Sequence, residues 1–237
     1  MINLHNDIVK AIVNILVMDD PEARLLYLQS INNVSGEGTQ NSSPKQKWDY
    51  RYNSLIEMAK KYELRYFKLD RGKLWEAVLI AGPQNELYVF FSHKNMKNVI
   101  KKGKNNHYLK LLNLFNHELD ELKPIYSQMT LPISFEDDDD SSEDLIEQAR
   151  EMLSMMEEEP SKVYVFAFDH SFVTTVKAFA YNTRQEVVWE RDLTELIEPN
   201  YRLVLTDDEI YPDTRISNNT PETKKEKKQI VSLKNIK

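Results

Sequence analysis

The sequence predicts an α+β protein, with N-terminal helices packed on two antiparallel β-meanders. Three observations predict it. Apolar residues recur at helical spacing up to position 62. The period then changes to two over 63–93, and again over 162–192. Turn signals, "RG" and "GPQN" among them, separate the β-prone runs.

The elements follow in order. Leu4, Ile8, Ile12, Ile15 and Leu16 form one helical stripe, which Val9 and Val13 widen. "DDPEAR" restarts the chain, with Asp20 as N-cap and Pro21 as first helical residue, and a second helix runs to about Asn33. The polar run 35–47 reads as a loop. A third helix puts Trp48, Tyr52, Leu55, Ile56 and Ala59 on one face.

Three strands are expected in "ELRYFKLD", "KLWEAVLIAG" and "ELYVFFSH", then helices over 94–102 and 106–122. After an acidic linker, Leu145, Ile146, Ala149, Met152, Leu153 and Met156 mark an amphipathic helix over 143–158 that Pro160 stops. The second meander reads "KVYVFAFD", "FVTTVKAFAYN" and "EVVWERD". A short helix in "LTELIEP" and a strand in "YRLVLT" follow.

The organisation is therefore N-terminal helices (1–62), a first meander with basic helices (63–122), an acidic linker (123–142), an amphipathic helix with the second meander (143–213) and a basic tail (214–237). The two meanders join as one sheet or stand as two lobes. They share an order that suggests a weak internal duplication. In each, an aromatic strand ends in Asp (Asp70, Asp169), and a turn carries Gln and Glu (Gln84 and Glu86; Gln185 and Glu186).

Composition narrows the chemistry. The absence of cysteine removes disulfides, thiolate metal sites and Cys nucleophiles. Five glycines leave little for a Gly-rich phosphate loop. No apolar run suits a transmembrane helix, and the N-terminus lacks the basic start of a signal peptide. A cytoplasmic protein is expected.

The net charge of −7 is unevenly spread. Residues 135–161 hold twelve carboxylates and one arginine, net −11, which leaves the rest at +4. The simplest reading is a linker feeding a helix whose first turn suits carboxylates. Asp137 to Asp140 lack the glycine and distal Glu of a calcium loop, so no metal is expected there.

The opposite charge lies upstream, since Leu87 to His117 contains no Asp or Glu. Lys94, Lys97, Lys101, Lys102, Lys104 and Lys110, with Tyr108 among them, form a candidate polyanion site. The competing readings are a solvated basic helix and docking of the chain's own acidic stretch. His93, His107 and His117 lack metal-ligand spacing. Asp70, Glu76 and Glu86 lack the Glu-x-Lys of some metal-dependent nucleases. No catalytic residue, metal or cofactor is assigned.

The succession "F-x-x-D…W…ELYVF…Y-L-x-L-L" resembles small uncharacterised proteins of low-GC Gram-positive bacteria and their phages. That resemblance implies no chemistry. The leading expectation is a non-enzymatic interaction or regulatory protein, phage or mobile-element encoded, with a protein partner or self-association. The alternative is a nucleic-acid-binding protein or nuclease-like effector using the 94–110 lysines. The tail, with "IVSL" between lysines, is expected to act apart from the core, as an added strand or a solubilising end.

Overall fold

Both meanders lie in a single six-stranded sheet of order β1-β2-β3-β4-β5-β6. The structure is a computed structural model. It describes the chain except residues 1, 19–20, 36, 39–41, 71–75, 103–105, 127–141 and 200–237. Met1–Glu198 forms one compact unit; the remainder, Pro199–Lys237, is a second unit of which only Pro199 is described. The expected strand at 201–206, the tail and most of the acidic linker lie outside the described residues.

The strands are β1 (Arg65–Asp70), β2 (Glu76–Ala81), β3 (Leu87–Ser92), β4 (Val163–Asp169), β5 (Thr175–Tyr181) and β6 (Val187–Asp192). Each meander is antiparallel, and the two join along a parallel seam that pairs Leu87 with Val163 through to Ser92 with Phe168. A parallel pair needs a crossover connection. Here that connection holds α4 (His93–Lys102), α5 (Tyr108–Asn113), a 3-10 turn (Leu114–Leu119) and α6 (Ser142–Met152).

The helices explain the burial. α1 (Asn6–Val17) and α3 (Ser43–Lys61) cover the face that carries Phe166 and Phe168, where Trp48 tilts against Phe168 at 5.7 Å. Arg51 is buried there: its Nε donates to the carbonyl of Leu16 at 2.8 Å, and its guanidinium lies 4.5 Å from the Phe168 ring centre. α5 covers the other face, where Tyr108 stacks on Phe91 at 5.4 Å. Leu87–Phe91 and Val163–Phe168 are consequently buried on both faces. The period-two reading fails for these central strands because neither face meets water.

Several helix boundaries depart from expectation. α3 starts at Ser43, inside the polar run 35–47 read as a loop, with Pro44 in its first turn. α2 covers Pro21–Ser30 and stops short of Asn33, where Asn32 takes a positive φ of 53°. The expected 106–122 helix tightens to 3-10 geometry at Leu114. There the buried Asn116 turns its amide to the sheet, accepting from Val163 N (2.7 Å) and donating to the carbonyls of Val163 (3.0 Å) and Tyr181 (2.7 Å). α6 ends at Met152 rather than 158; the chain turns there, and Arg150 pairs with Glu159 at 2.6 Å. Ala149 of α6 and Leu153 just past its end are buried, and Leu145, Met152 and Met156 pack against the core with them. "LTELIEP" gives only a 3-10 turn, Thr194–Leu196.

The two hairpin turns share one geometry. Gly82 N donates to Glu86 O and Asn85 N to Gly82 O; Asn182 N donates to Glu186 O and Gln185 N to Asn182 O. Asn85 and Gln185 both sit at positive φ, 61° and 64°. This is a tight turn closed by a left-handed residue, and it matches the strand twist. The shared order read from the sequence is thus a shared fold plan.

Candidate functional site

α4 follows β3 directly and presents Lys94, Lys97 and Lys101 to water. Met96 and Val99 face the core. The spacings of three and seven put these lysines on one stripe, opposite the packed face. Lys102 closes the helix, and Lys104 lies outside the described residues. The other two members of the candidate set are elsewhere. Tyr108 is largely buried, stacked on Phe91, and borders the groove beside α5 rather than the α4 stripe. Lys110 is half-buried, and burial lowers its pKa.

The histidines do not converge. His107 caps α5, its Nδ1 accepting from Leu109 N at 3.2 Å, and His117 is exposed in the 3-10 turn. His93 stacks on Phe179 with ring centres 5.8 Å apart, and its Nδ1 lies 3.7 Å from Asp169 Oδ2. Burial and then Lys97 lower the His93 pKa against the pull of Asp169. The Asp169 carboxyl is held low chiefly by hydrogen bonds from Ser171, backbone and side chain.

The acidic residues of the first meander separate likewise. Asp70 pairs with Glu76 across one end of the β1–β2 ladder. Glu86 is buried in the hairpin at the opposite end of β2, where its carboxyl accepts from Asn3 Nδ2 and from Gln84 N at 3.1 Å. Among the described residues no group of three His, Asp or Glu is placed to hold a metal ion. An open groove of about 720 Å³ runs between the end of β1, α5 and α6, with Leu111, Met152 and Met155 on its apolar side.

One feature was missed by sequence reasoning. "FVTTVKAFAYN" reads as a strand from Phe172, yet β5 starts at Thr175. Phe172 and Val173 instead form the tip of the β4–β5 loop, 100% and 72% exposed. The loop is pinned at both sides: Ser171 N donates to Asp169 Oδ1 at 2.9 Å, and His170 Nδ1 meets Thr174 Oγ1 at 3.2 Å. The sequence signal was "DHS", an acceptor followed two residues on by its donor, which marks an Asx turn.

A family model described as a family of unknown function, DUF5986, matches residues 3–236. The chain belongs to that family. No curated protein matches the chain, and no solved structure does. Membership in DUF5986 agrees with the absence of a characterised family in the resemblance read from the sequence. The match extends over both meanders, so the DUF5986 unit includes the whole six-stranded sheet. No described helix is long and apolar enough to cross a membrane.

Proposed function

We propose that this protein is a non-enzymatic interaction protein that engages a protein partner through the β4–β5 tip. The exposed Phe172–Val173 pair carries the reading. A single exposed apolar side chain is ordinary on a protein surface. Two adjacent ones, on a loop held by its own hydrogen bonds, resemble the rigid apolar anchors that dominate binding energy at interfaces. Pinning the loop lowers the ordering cost of association. A regulatory role, with a phage or mobile-element origin, accords with this reading, and genomic neighbours test the origin.

The test is a photo-reactive phenylalanine analogue at position 172, introduced into the protein in the cells that make it. One discrete cross-linked protein, lost when the wild-type protein is added in excess, supports the reading. Cross-links only to nucleic acid favour the second reading, in which the Lys94, Lys97 and Lys101 stripe holds phosphates. That stripe, on a helix with no carboxylate, is the observation behind this alternative.

A further inference from the structure

We infer that this protein pairs with a second copy of itself, α4 of each protomer against α6 of the other. The inference stands apart from the Phe172 tip and rests on two helix surfaces. Lys94, Lys97 and Lys101 form the exposed stripe of α4. Glu143, Glu147 and Glu151 form an exposed stripe on α6, opposite the packed side marked by Ala149 and Leu153, with Asp144 beside it. At 1.5 Å rise per residue, the lysine stripe is about 10.5 Å long and the glutamate stripe about 12 Å. Opposite charges of matched number and length therefore stand on two surface helices.

Within one chain these charges leave each other alone. None of the three lysines or three glutamates makes an ion pair among the described residues. The cation on α6 itself, Arg150, is occupied by Glu159 at 2.6 Å, so it does not neutralise the stripe. α4 and α6 also stand on the same side of the sheet. His93 at the start of α4 stacks on Phe179, Tyr108 of α5 stacks on Phe91 of that face, and α6 packs on α5. A two-fold axis can then bring α4 against the partner's α6 and α6 against the partner's α4. This is the self-complementary arrangement of a closed dimer, in which each contact occurs twice.

Exposed ion pairs are individually weak, so the dimer is salt-sensitive and assembles by charge matching rather than by a large apolar face. A second copy is favoured over nucleic acid because the chain supplies both charge patterns, and the glutamate stripe would repel phosphates.

Sedimentation velocity on the full chain, in about 50 mM and about 500 mM salt, tests this. At low salt a species of twice the 27.9 kDa protomer mass is expected, lost at high salt. The triple reversal Lys94→Glu, Lys97→Glu, Lys101→Glu should raise the dimer dissociation constant at least about tenfold, as like charges then face each other. The reversal Glu143→Lys, Glu147→Lys, Glu151→Lys should do the same. An equal mixture of the two variants should recover the doubled mass. Phe172→Ser should leave the dimer intact, which separates this inference from the tip reading. If a reversal lowers melting, the neutral Gln versions replace it and the mixture then compares Gln with wild type. A wild-type monomer at low salt, reversal variants that dimerise like wild type, a reversed mixture that stays monomeric, or loss of the dimer on Phe172→Ser overturns the inference.

Discussion

Asn3 supplies to Glu86 the amide that Asn182 supplies to Glu186. In the second hairpin the first turn residue donates its own Nδ2 to the Glu186 carboxyl at 2.7 Å. In the first hairpin that position is Gly82, which has no side chain, and the Nδ2 of Asn3 reaches Glu86 from the N-terminus instead. A Cβ on Gly82 would meet Glu86 Oε2 at 2.7 Å and Tyr88 Cε2 at 2.8 Å. The bulky Tyr88 thus explains the glycine. Position 188 holds Val, beside an irregularity in the β5–β6 ladder.

Asn3→Ala should therefore destabilise the fold, although Asn3 lies outside every regular element. It leaves a carboxyl oxygen of a residue only 1% exposed without its donor, at a cost of about 1–3 kcal/mol. Urea denaturation measures it. An unchanged midpoint would show that Glu86 draws what it needs from Gln84 N alone.

Gly82→Asn should cost about 1–3 kcal/mol by overpacking. In a Tyr88→Val background the additional cost should shrink, because the ring that meets the new Cβ is gone. A double-mutant cycle by chemical denaturation reads the coupling directly. Additive effects would remove the steric account of this glycine.

His93 is depressed in the folded state, so the unfolded chain takes up a proton first as pH falls. Its contribution is fully present above about 6.5, the unfolded value, and is lost as pH falls towards the lower folded value. Asp169 is depressed as well, and its contribution is lost at more acid pH, as pH falls through its folded value below 3.8. Denaturation at pH 7.5 and at pH 5.5 should show a loss of stability that His93→Gln reduces. An equal loss in the variant would assign the pH dependence to other groups.

Leu153→Ala should cost about 2–5 kcal/mol, since Leu153 fastens α6 to the core with only 4% of its surface exposed. Met152→Asp should be costly too, though less than for a fully buried site, because Met152 borders the open groove. Truncation after Asp213 should leave the melting temperature of the Met1–Glu198 unit unchanged by calorimetry. Early melting of the truncated chain would make the tail part of that unit's stability.

Local rules made much of this fold legible. α1 and α3 were readable because their apolar stripes do face the sheet, and "GPQN" placed the first hairpin turn. The single sheet was not readable. Its seam joins Leu87 to Val163, and no local pattern specifies which strands meet across a crossover. α5 gave way at Leu114 because Asn116 satisfies sheet ends far along the chain, a tertiary demand that overrides helical spacing. The α4 lysine stripe was visible in spacing alone. Tyr108 shares the apolar spacing of Leu111, Leu112 and Phe115, and all four are buried; only the partner behind that face, Phe91, was not legible.

The parallel seam also has a kinetic meaning. Each hairpin closes over a few residues, so either meander can form by local search. The seam closes only when positions 87 and 163 have both been made and have found each other. Contacts of that separation are slow to form, since the intervening chain must be ordered first. During synthesis the first meander therefore waits with Leu87, Val89 and Phe91 on an unpaired edge. What shields that edge until β4 arrives decides whether the nascent protein assembles or aggregates.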